Sequence, residues 1–472
     1  MKRQSGVLLP LFSLPGDYGC GNMGKDAIQW IDLLSQSGFS WWQVLPLCMT
    51  DAFHSPYASC SSFGGDPLWI DPEALYERGL VTKDELGAQK IDSPYLCDYE
   101  TLAKIRLPFL KKATARMKDR AEVLSFLRQY PYLEEACRFF ALRDLNRGKS
   151  FREWNVEEPD EDTLFAWQFI QYEFHQQWQA LHEHAAENGV RIMGDLPFYV
   201  SSDSFEMYSY PELFQLDKKK NPASVAGVPP DYFSEDGQKW GNPLYDWGKM
   251  KQDGYAYWKK RLQYNLSLYD GVRIDHFRAL SAYWRVPAEA LTAKDGEWVK
   301  GPGRDFIDAI RPLTGDKLIL AEDLGIIDDD TRDLLRYSGF PGMAVLQFAF
   351  DGDPENTHLP HTYRENLAAY TGTHDNNTLL GFCWELTGAA RDQALTYLGE
   401  SPDLIDGALR ALWMSKARLV FAPVQDLLRY GADTRINTPG LAKGNWRVRF
   451  TREQLSVLDP AYLSRFNKCF GR

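Results

Sequence analysis

Residues 271–277, with the sequence GVRIDHF, place three ionisable side chains at the end of an apolar run. Arg273, Asp275 and His276 are residue types that a packed core disfavours. Arg273 and Asp275 are two positions apart, so on a strand their side chains point to the same face. A guanidinium beside a carboxylate lowers the pKa of that carboxylate and keeps it ionised. Asp275 therefore has the properties of a nucleophile.

Two further carboxylates follow other apolar runs, Glu322 in KLILAEDLG and Asp375 in LAAYTGTHD. Cleavage of a glycosidic bond with retention of configuration uses two carboxyl groups, one as nucleophile and one as proton donor. The donor must hold its proton near neutral pH, so its surroundings must raise its pKa. A third carboxylate can bind sugar hydroxyls. Any one of these acids alone would more often be a helix cap or a surface ion pair; the three together favour glycoside chemistry.

Histidines and aromatic residues support the same interpretation. His276 and His374 each flank one of the acids and could donate hydrogen bonds to sugar hydroxyls, although a lone histidine is often a packed core residue. Aromatic residues make up 14% of the chain, including 15 Trp and 24 Tyr. Most of these are expected to pack in the core, and some to line a groove for flat, amphipathic ligands such as sugars.

The acids need a scaffold that brings distant strand ends together. Apolar runs alternate with helix-like stretches, which is typical of a parallel sheet covered by helices. Eight such runs predict an α/β fold, a (β/α)8 TIM barrel, in which reacting residues lie at the carboxyl ends of strands. Asp195 also lies at such an end. The predicted strands are 6–12, 39–47, 190–200, 271–275, 317–325, 343–350, 367–375 and 418–428.

The chain is much longer than a simple barrel, which needs about 250 residues. We predict one composite catalytic domain over residues 1–472 with two large insertions. Residues 71–165 are charged and predict a helical insertion subdomain after strand 2. Residues 201–250 are rich in Pro, Gly, Tyr and Trp and predict a substrate-covering loop insertion after strand 3.

Composition excludes several classes of partner. The formal net charge of −12 disfavours binding to nucleic acid or to an anionic membrane. The seven Cys are scattered without metal-like spacing, which is typical of reduced thiols in a cytoplasmic protein, and we expect no metal and no cofactor. Pro10 and Pro15 interrupt the apolar N-terminal stretch, which we interpret as a first strand rather than a signal peptide.

Six motifs in the expected order carry a family resemblance over about residues 5–450. They are GDLPFYV, GVPPDYFSEDGQKWGNPLYDW, GVRIDHFR, LAEDLG, TGTHDNNT and RINTPGLAKGNWRVR. The chain resembles the 4-α-glucanotransferases, also called amylomaltases or disproportionating enzymes, of the α-amylase clan. The resemblance implies a transferase for α-1,4-glucans such as maltooligosaccharides and amylose, with glucose as an acceptor. It is compatible with a monomer or a homodimer.

The resemblance also implies roles for individual residues. Asp275 matches the nucleophile, Glu322 the acid/base and Asp375 the stabiliser of the transition state. The positions that match sugar-binding residues are Tyr57, Asp195, Tyr232, Trp240, Arg273, His276, Asp351 and His374.

Three other functions stay open at this point. A plain α-glucan hydrolase would use the same carboxylates. A metal-dependent hydrolase on the same fold would use His276, His374 and Asp375 as ligands, although the first strand has no His-x-His and the chain has only eight His. A glucan-binding protein without catalysis would not need the intact acid trio.

Overall fold

The computed structural model describes residues 2–51, 53–230, 235–400, 404–441 and 443–472. Within these ranges the strands are β1 (Gln4–Leu8), β2 (Trp41–Gln43), β3 (Arg191–Leu196), β4 (Ser224–Val228), β5 (Gln238–Pro243), β6 (Gly271–Ile274), β7 (Ala282–Pro287), β8 (Glu297–Lys300), β9 (Leu318–Ala321), β10 (Gly342–Val345), β11 (Leu367–Tyr370) and β12 (Leu419–Pro423).

The helices in the same ranges lie between the strands and after the last strand. They are α1 (Lys25–Gln36), α2 (Pro72–Glu77), α3 (Lys83–Gly87), α4 (Tyr99–Arg116), α5 (Arg120–Leu127), α6 (Pro131–Leu145), α7 (Glu161–Glu187), α8 (Phe205–Ser209), α9 (Trp247–Gln252), α10 (Ala256–Leu268), α11 (Gly303–Thr314), α12 (Asp329–Ser338), α13 (Leu379–Glu385), α14 (Gly388–Leu398), α15 (Ile405–Met414), α16 (Val424–Leu428), α17 (Arg452–Leu455) and α18 (Pro460–Cys469).

Eight strands form one parallel sheet in the order β10-β11-β12-β1-β2-β3-β6-β9. The Ala321 N–H donates to the Pro341 carbonyl at 2.9 Å, which brings the two ends of the sheet together. Nearly every residue of these strands is buried, because the barrel interior covers one face and helices cover the other. Each predicted strand segment supplies one of the eight strands, so the predicted (β/α)8 barrel is confirmed.

Most of the observed strands are shorter than the predicted segments. Residues 418–428 were predicted as one strand, but β12 ends at Pro423 and Val424–Leu428 is helix α16. Proline has no N–H to continue a ladder, and its φ suits the start of a helix. The apolar run continues because the helix is also buried, so hydrophobicity alone did not reveal the change.

The segment between β2 and β3 is helical, and the long helix α7 connects it to the barrel. Helices α4, α5 and α6 pack against α7, which also packs against α1 and β3. Helix α1 is followed by Gly38 and α7 by Gly189, both with positive φ. Glycine adopts this left-handed conformation at little cost, which explains why both helices end there.

A second sheet was not predicted from the sequence. Strands β4, β5, β7 and β8 form an antiparallel sheet in the order β5-β4-β7-β8. Strands β4 and β5 come from the insertion after β3, whereas β7 and β8 follow β6. The sheet positions Trp240, which lies on β5.

No helix in the described ranges combines the length and the apolar composition that crossing a membrane requires.

Candidate active site

A buried arginine joins two carboxylates at the carboxyl end of the barrel. Arg273 on β6 is only 4% exposed and pairs in register with Asp195 on β3. Its Nη1 donates to both Asp195 oxygens at 2.8 Å, and its Nη2 lies 2.8 Å from Asp275 Oδ1. Burial opposes the charge of Arg273, but Asp195 and Asp275 raise its pKa well above the ordinary value. Asp275 therefore faces a cation at any physiological pH.

Tyr57 lies beside this ion-pair group. Its hydroxyl donates to Asp195 Oδ2 at 2.8 Å, and its ring stacks on His374 with centroids 5.0 Å apart. Trp446 packs against both rings at 5.8 Å. Loops that follow three different barrel strands thus meet at one aromatic cluster.

Glu322 follows β9, the strand next to β6. Its Oε2 accepts the backbone N–H of His276 at 2.7 Å and its Oε1 that of Leu324 at 3.0 Å. Burial raises the pKa of Glu322 to about 7, with Arg273 lowering and Asp275 raising it. This site therefore holds an acid that titrates near pH 7 beside a carboxylate that is paired with a cation.

Asp375 is the third carboxylate, and its loop is held by a distant segment. Its Oδ2 lies 3.2 Å from His374 Nε2, and its Oδ1 accepts from the Asn437 amide at 2.5 Å. Arg435 Nη2 donates to the Asp375 carbonyl at 2.6 Å. Burial raises the pKa of Asp375, but His374 and the hydrogen bond from Asn437 outweigh it and lower the pKa well below its usual range.

His276 has an unusual backbone and an apolar environment. Its φ of 50° is left-handed, which is strained for a residue with a side chain. Its ring lies 5.0 Å from that of Trp240, 6.1 Å from Tyr199 and 6.3 Å from Phe198. Burial lowers the pKa of His276 to about 4, so the imidazole is neutral at physiological pH.

The structure brings together most of the residues predicted for the site. The described contacts connect Tyr57, Asp195, Trp240, Arg273, Asp275, His276, Glu322, His374 and Asp375. Asp351 contacts its own loop, where its carboxylate accepts hydrogen bonds from Asp353 N at 3.0 Å and Asn356 Nδ2 at 2.8 Å. Tyr232 lies outside the described residues.

Four residues of the site were not predicted from the sequence: Tyr199, Arg435, Asn437 and Trp446. The last three belong to RINTPGLAKGNWRVR and Tyr199 to GDLPFYV, which carried the resemblance without an assigned contact. The motifs therefore indicated that these segments belong to the site, but the spacing along the sequence did not show which residues they contact.

Replacing Asn437 with alanine tests the link to Asp375. A hydrogen bond to a charged group contributes about 1.5–3 kcal/mol, so we expect kcat/KM to fall about 10- to 100-fold. The pKa on the acid side of the pH–rate profile should rise if Asp375 acts as a carboxylate. Asn445→Ala is the control, because Asn445 donates to Thr438 and Leu441 carbonyls and not to Asp375. An Asn437→Ala enzyme with unchanged kinetics would contradict the link.

The arrangement defines a class of protein. A carboxyl group with a raised pKa, Glu322, and a carboxylate paired with Arg273, Asp275, lie at the carboxyl rim of a (β/α)8 barrel, beside a wall of aromatic rings. This combination is suited to cleaving glycosidic bonds, because one carboxyl group can attack the anomeric carbon while another donates a proton to the leaving oxygen. Among the described residues, no group of three or more His, Cys, Asp or Glu could hold a metal ion. The fold and the site define a barrel enzyme of carbohydrate chemistry.

Comparisons with known proteins identify the family. A family model described as 4-alpha-glucanotransferase matches residues 9–455. The chain is 38% identical to the 4-alpha-glucanotransferase of Clostridium butyricum over 98% of this chain and 99% of that one. It is 40% identical to the Thermus thermophilus 4-alpha-glucanotransferase over 98% of each. The structure of an amylomaltase from Streptococcus agalactiae in complex with acarbose matches with a TM-score of 0.95, 36% identity and 100% coverage of both chains. The chain belongs to the 4-alpha-glucanotransferase family.

Proposed function

We propose that the chain moves a segment of an α-1,4-glucan onto the 4-hydroxyl of another glucan or of glucose through a covalent glucosyl-Asp275 intermediate. The observation that carries this proposal is the pairing of unlike carboxyl groups on neighbouring strands. Asp275 lies 2.8 Å from the Arg273 guanidinium, whereas burial raises the pKa of Glu322 to about 7. One group is thus suited to attack and the other to donate a proton.

In the first half of the reaction Asp275 attacks the anomeric carbon of the bound glucan. Glu322 gives its proton to the glycosidic oxygen, and the segment on the reducing-end side of the cleaved bond leaves with a free 4-hydroxyl. The configuration at the anomeric carbon inverts and a β-linked ester forms. Arg273, whose Nη2 lies 2.8 Å from Asp275 Oδ1, holds the attacking carboxylate in place.

In the second half an acceptor replaces the departed segment. Glu322, now a carboxylate, takes the proton of the acceptor 4-hydroxyl as the oxygen attacks the ester. The α-1,4 bond forms again, Asp275 is released, and two inversions give net retention.

The surrounding side chains are assigned to binding and stabilisation. Asp375, whose pKa is lowered, stays ionised and accepts hydrogen bonds from sugar hydroxyls as positive charge develops at the anomeric carbon. The residues assigned to the sugar are Tyr57, Asp195, Tyr232, Trp240, Arg273, His276, Asp351 and His374. The neutral imidazole of His276 can donate or accept a hydrogen bond without adding charge.

Transfer must exceed hydrolysis for this function. An acceptor held in line has an effective molarity of about 10⁵ M or more, which bulk water does not match. Trp240 is 39% exposed and its ring lies 5.0 Å from that of His276, which supports assigning Trp240 to binding the acceptor and excluding water.

Replacing Trp240 with alanine should therefore raise the ratio of hydrolysis to transfer. A lost aromatic contact of about 0.5–1.5 kcal/mol corresponds to a change of about 2- to 10-fold. Trp298→Ala is a matched control, because Trp298 is also 39% exposed and lies on β8 of the same sheet. The measurement compares the amount of glucan hydrolysed by water with the amount of longer oligosaccharide formed by transfer. Equal ratios for the two variants would count against a covering role for Trp240.

Incubation with maltotriose, followed by chromatography, tests the function directly. Transfer produces longer and shorter maltodextrins together. A hydrolase on the same fold would release glucose and maltose without longer products. A preparation that bound maltotriose but left it unchanged would instead favour a binding protein.

We also propose the organisation and the setting of the enzyme. Residues 1–472 act as one composite catalytic domain, with 71–165 as a helical insertion subdomain and 201–250 as the insertion that covers the substrate. We propose that the protein is cytoplasmic and acts as a monomer or a homodimer. The net charge of −12 supports a neutral ligand over nucleic acid or a membrane surface.

A further inference from the structure

Another buried arginine lies near the site, on the helix that precedes β6. Arg261 on α10 is 1% exposed. Its Nη1 donates to the Phe198 carbonyl at 2.9 Å, and its Nη2 donates to the Pro197 carbonyl. The Tyr245 hydroxyl donates to the same Phe198 carbonyl at 2.8 Å and lies 3.1 Å from Arg261 Nη1. We propose that Arg261 is a positioning residue that fixes the turn after β3 and thereby sets the aromatic wall of the acceptor side.

The turn needs donors that the barrel does not supply. Strand β3 ends at Leu196, whose carbonyl still accepts from Asp275 N at 3.1 Å. The next two carbonyls lie beyond the sheet, and buried carbonyls without partners are costly. The planar guanidinium satisfies both at once, which a lysine cannot do in the same geometry.

The turn connects the ion-pair group to the aromatic wall. Asp195, which accepts from Arg273, precedes it on β3. Tyr199 follows it, and its ring lies 6.1 Å from His276 and 6.3 Å from Trp240. The Asn242 side chain of β5 donates to the Val200 carbonyl at 2.8 Å, so the strand that carries Trp240 is attached to the same turn.

The neighbourhood of Arg261 also reaches the loop after β2. Glu206 is fully buried, and its Oε1 accepts Ser62 N at 2.7 Å. The pKa of Arg261 is raised, because Tyr257, Tyr245 and Glu206 together outweigh the opposing effect of burial. The Ser62 hydroxyl lies 3.2 Å from that of Tyr257, on the same helix as Arg261. One helix thus holds the loops that carry Tyr57 and Tyr199 in a fixed relation.

This proposal rests on the proposed function, in which Trp240 and His276 bind the sugar. We expect Arg261→Lys to lower kcat/KM for transfer about 10- to 100-fold, the scale expected when reacting groups are displaced by about 1 Å. We expect the KM for the acceptor and the ratio of hydrolysis to transfer to rise. A role in stability alone would lower the melting temperature and leave that ratio unchanged.

The chain offers a matched control in Arg106. This arginine is also 1% exposed, and it donates to the carbonyls of Leu68, Ile70 and Tyr18 from α4. Arg106→Lys should lower the melting temperature similarly and leave the acceptor KM and the hydrolysis ratio at wild-type values. The proposal would be overturned if the ratio of hydrolysis to transfer were the same in Arg261→Lys, Arg106→Lys and the wild type.

Tyr245→Phe keeps the inference testable if Arg261→Lys does not fold. It removes one donor to the Phe198 carbonyl and should shift the ratio in the same direction by a smaller factor. An unchanged ratio in a folded Tyr245→Phe enzyme would contradict the proposal. Trp240→Ala in the same assay distinguishes a failure of the proposed function from a failure of the proposal for Arg261. An unchanged ratio of hydrolysis to transfer in Trp240→Ala argues against the role assigned to Trp240 and not against the contacts of Arg261.

Discussion

The Asp275→Asn enzyme should be inactive in transfer, with kcat lower by about 10⁴-fold or more, because knockouts of a covalent nucleophile are among the most damaging. An amide cannot form the glucosyl ester, whereas its size and shape match those of the carboxylate. We expect the melting temperature to change little, since Asp275 is partly exposed at 29%. Steady-state kinetics with maltotriose provide the measurement.

The control for Asp275→Asn is the same substitution at another acid that is paired with an arginine at this rim. Asp328 lies 3.0 Å from Arg278 Nη2 and caps helix α12. Asparagine is also a good N-cap, so Asp328→Asn should keep activity within a few-fold of wild type. Comparable losses in the two variants would show a general electrostatic effect rather than a nucleophile.

Azide tests the assignment by stereochemistry. With an Asp275→Gly enzyme, an α-maltosyl fluoride and azide, the small anion should attack from the face that the carboxylate occupied. The product should be the β-azide, formed by a single inversion. Recovery of the α-azide instead would mean that another residue supplies the nucleophile.

The Glu322→Gln enzyme should lose about 10²- to 10⁴-fold in kcat on maltotriose, the usual contribution of general acid–base catalysis. The loss should be much smaller on an α-maltosyl fluoride, because fluoride leaves without protonation. With the fluoride substrate and azide, a Glu322→Ala enzyme should give the α-azide. The β-linked ester on Asp275 forms first, and azide then displaces Asp275 with a second inversion. Equal losses on both substrates would contradict the assignment of Glu322 as the acid.

Glu322 also predicts a pH dependence. The first half of the proposed reaction needs Glu322 in its protonated form, and burial raises the pKa of Glu322 to about 7. The kcat/KM of the wild type should therefore fall as the pH rises through about 7, by about tenfold per unit well above the pKa. This alkaline limb should be absent from Glu322→Gln on the fluoride substrate.

Asp323 provides a control for the pH profile. It is the next residue, its pKa is raised to about 6 by burial, and its carboxylate accepts the Met343 N–H at 2.6 Å, so it holds β10 rather than substrate. Asp323→Asn should leave the alkaline limb in place. Its disappearance in that variant would assign the limb to the wrong acid.

The barrel could be predicted because each of its strands is a short apolar run buried on both faces. The antiparallel sheet β5-β4-β7-β8 escaped prediction because its two outer strands are polar and largely exposed, QKWGNP in β5 and EWVK in β8. The turn from strand to helix at Pro423 escaped because both elements are buried. Hydrophobic periodicity reports which side of an element is buried. It does not reveal a strand that is exposed on both faces, and it does not distinguish a fully buried helix from a buried strand.

The sequence by itself determined the fold class and the candidate carboxylates, because apolar periodicity and the residue types at the strand ends are local properties. Only the tertiary structure decided which group holds a proton and which stays charged. Glu322 takes its raised pKa from burial beside a residue 47 positions away, and Asp375 is held by Asn437, 62 positions further along. Such shifts depend on desolvation and on distances between charges, which come into existence only when the chain closes into a barrel.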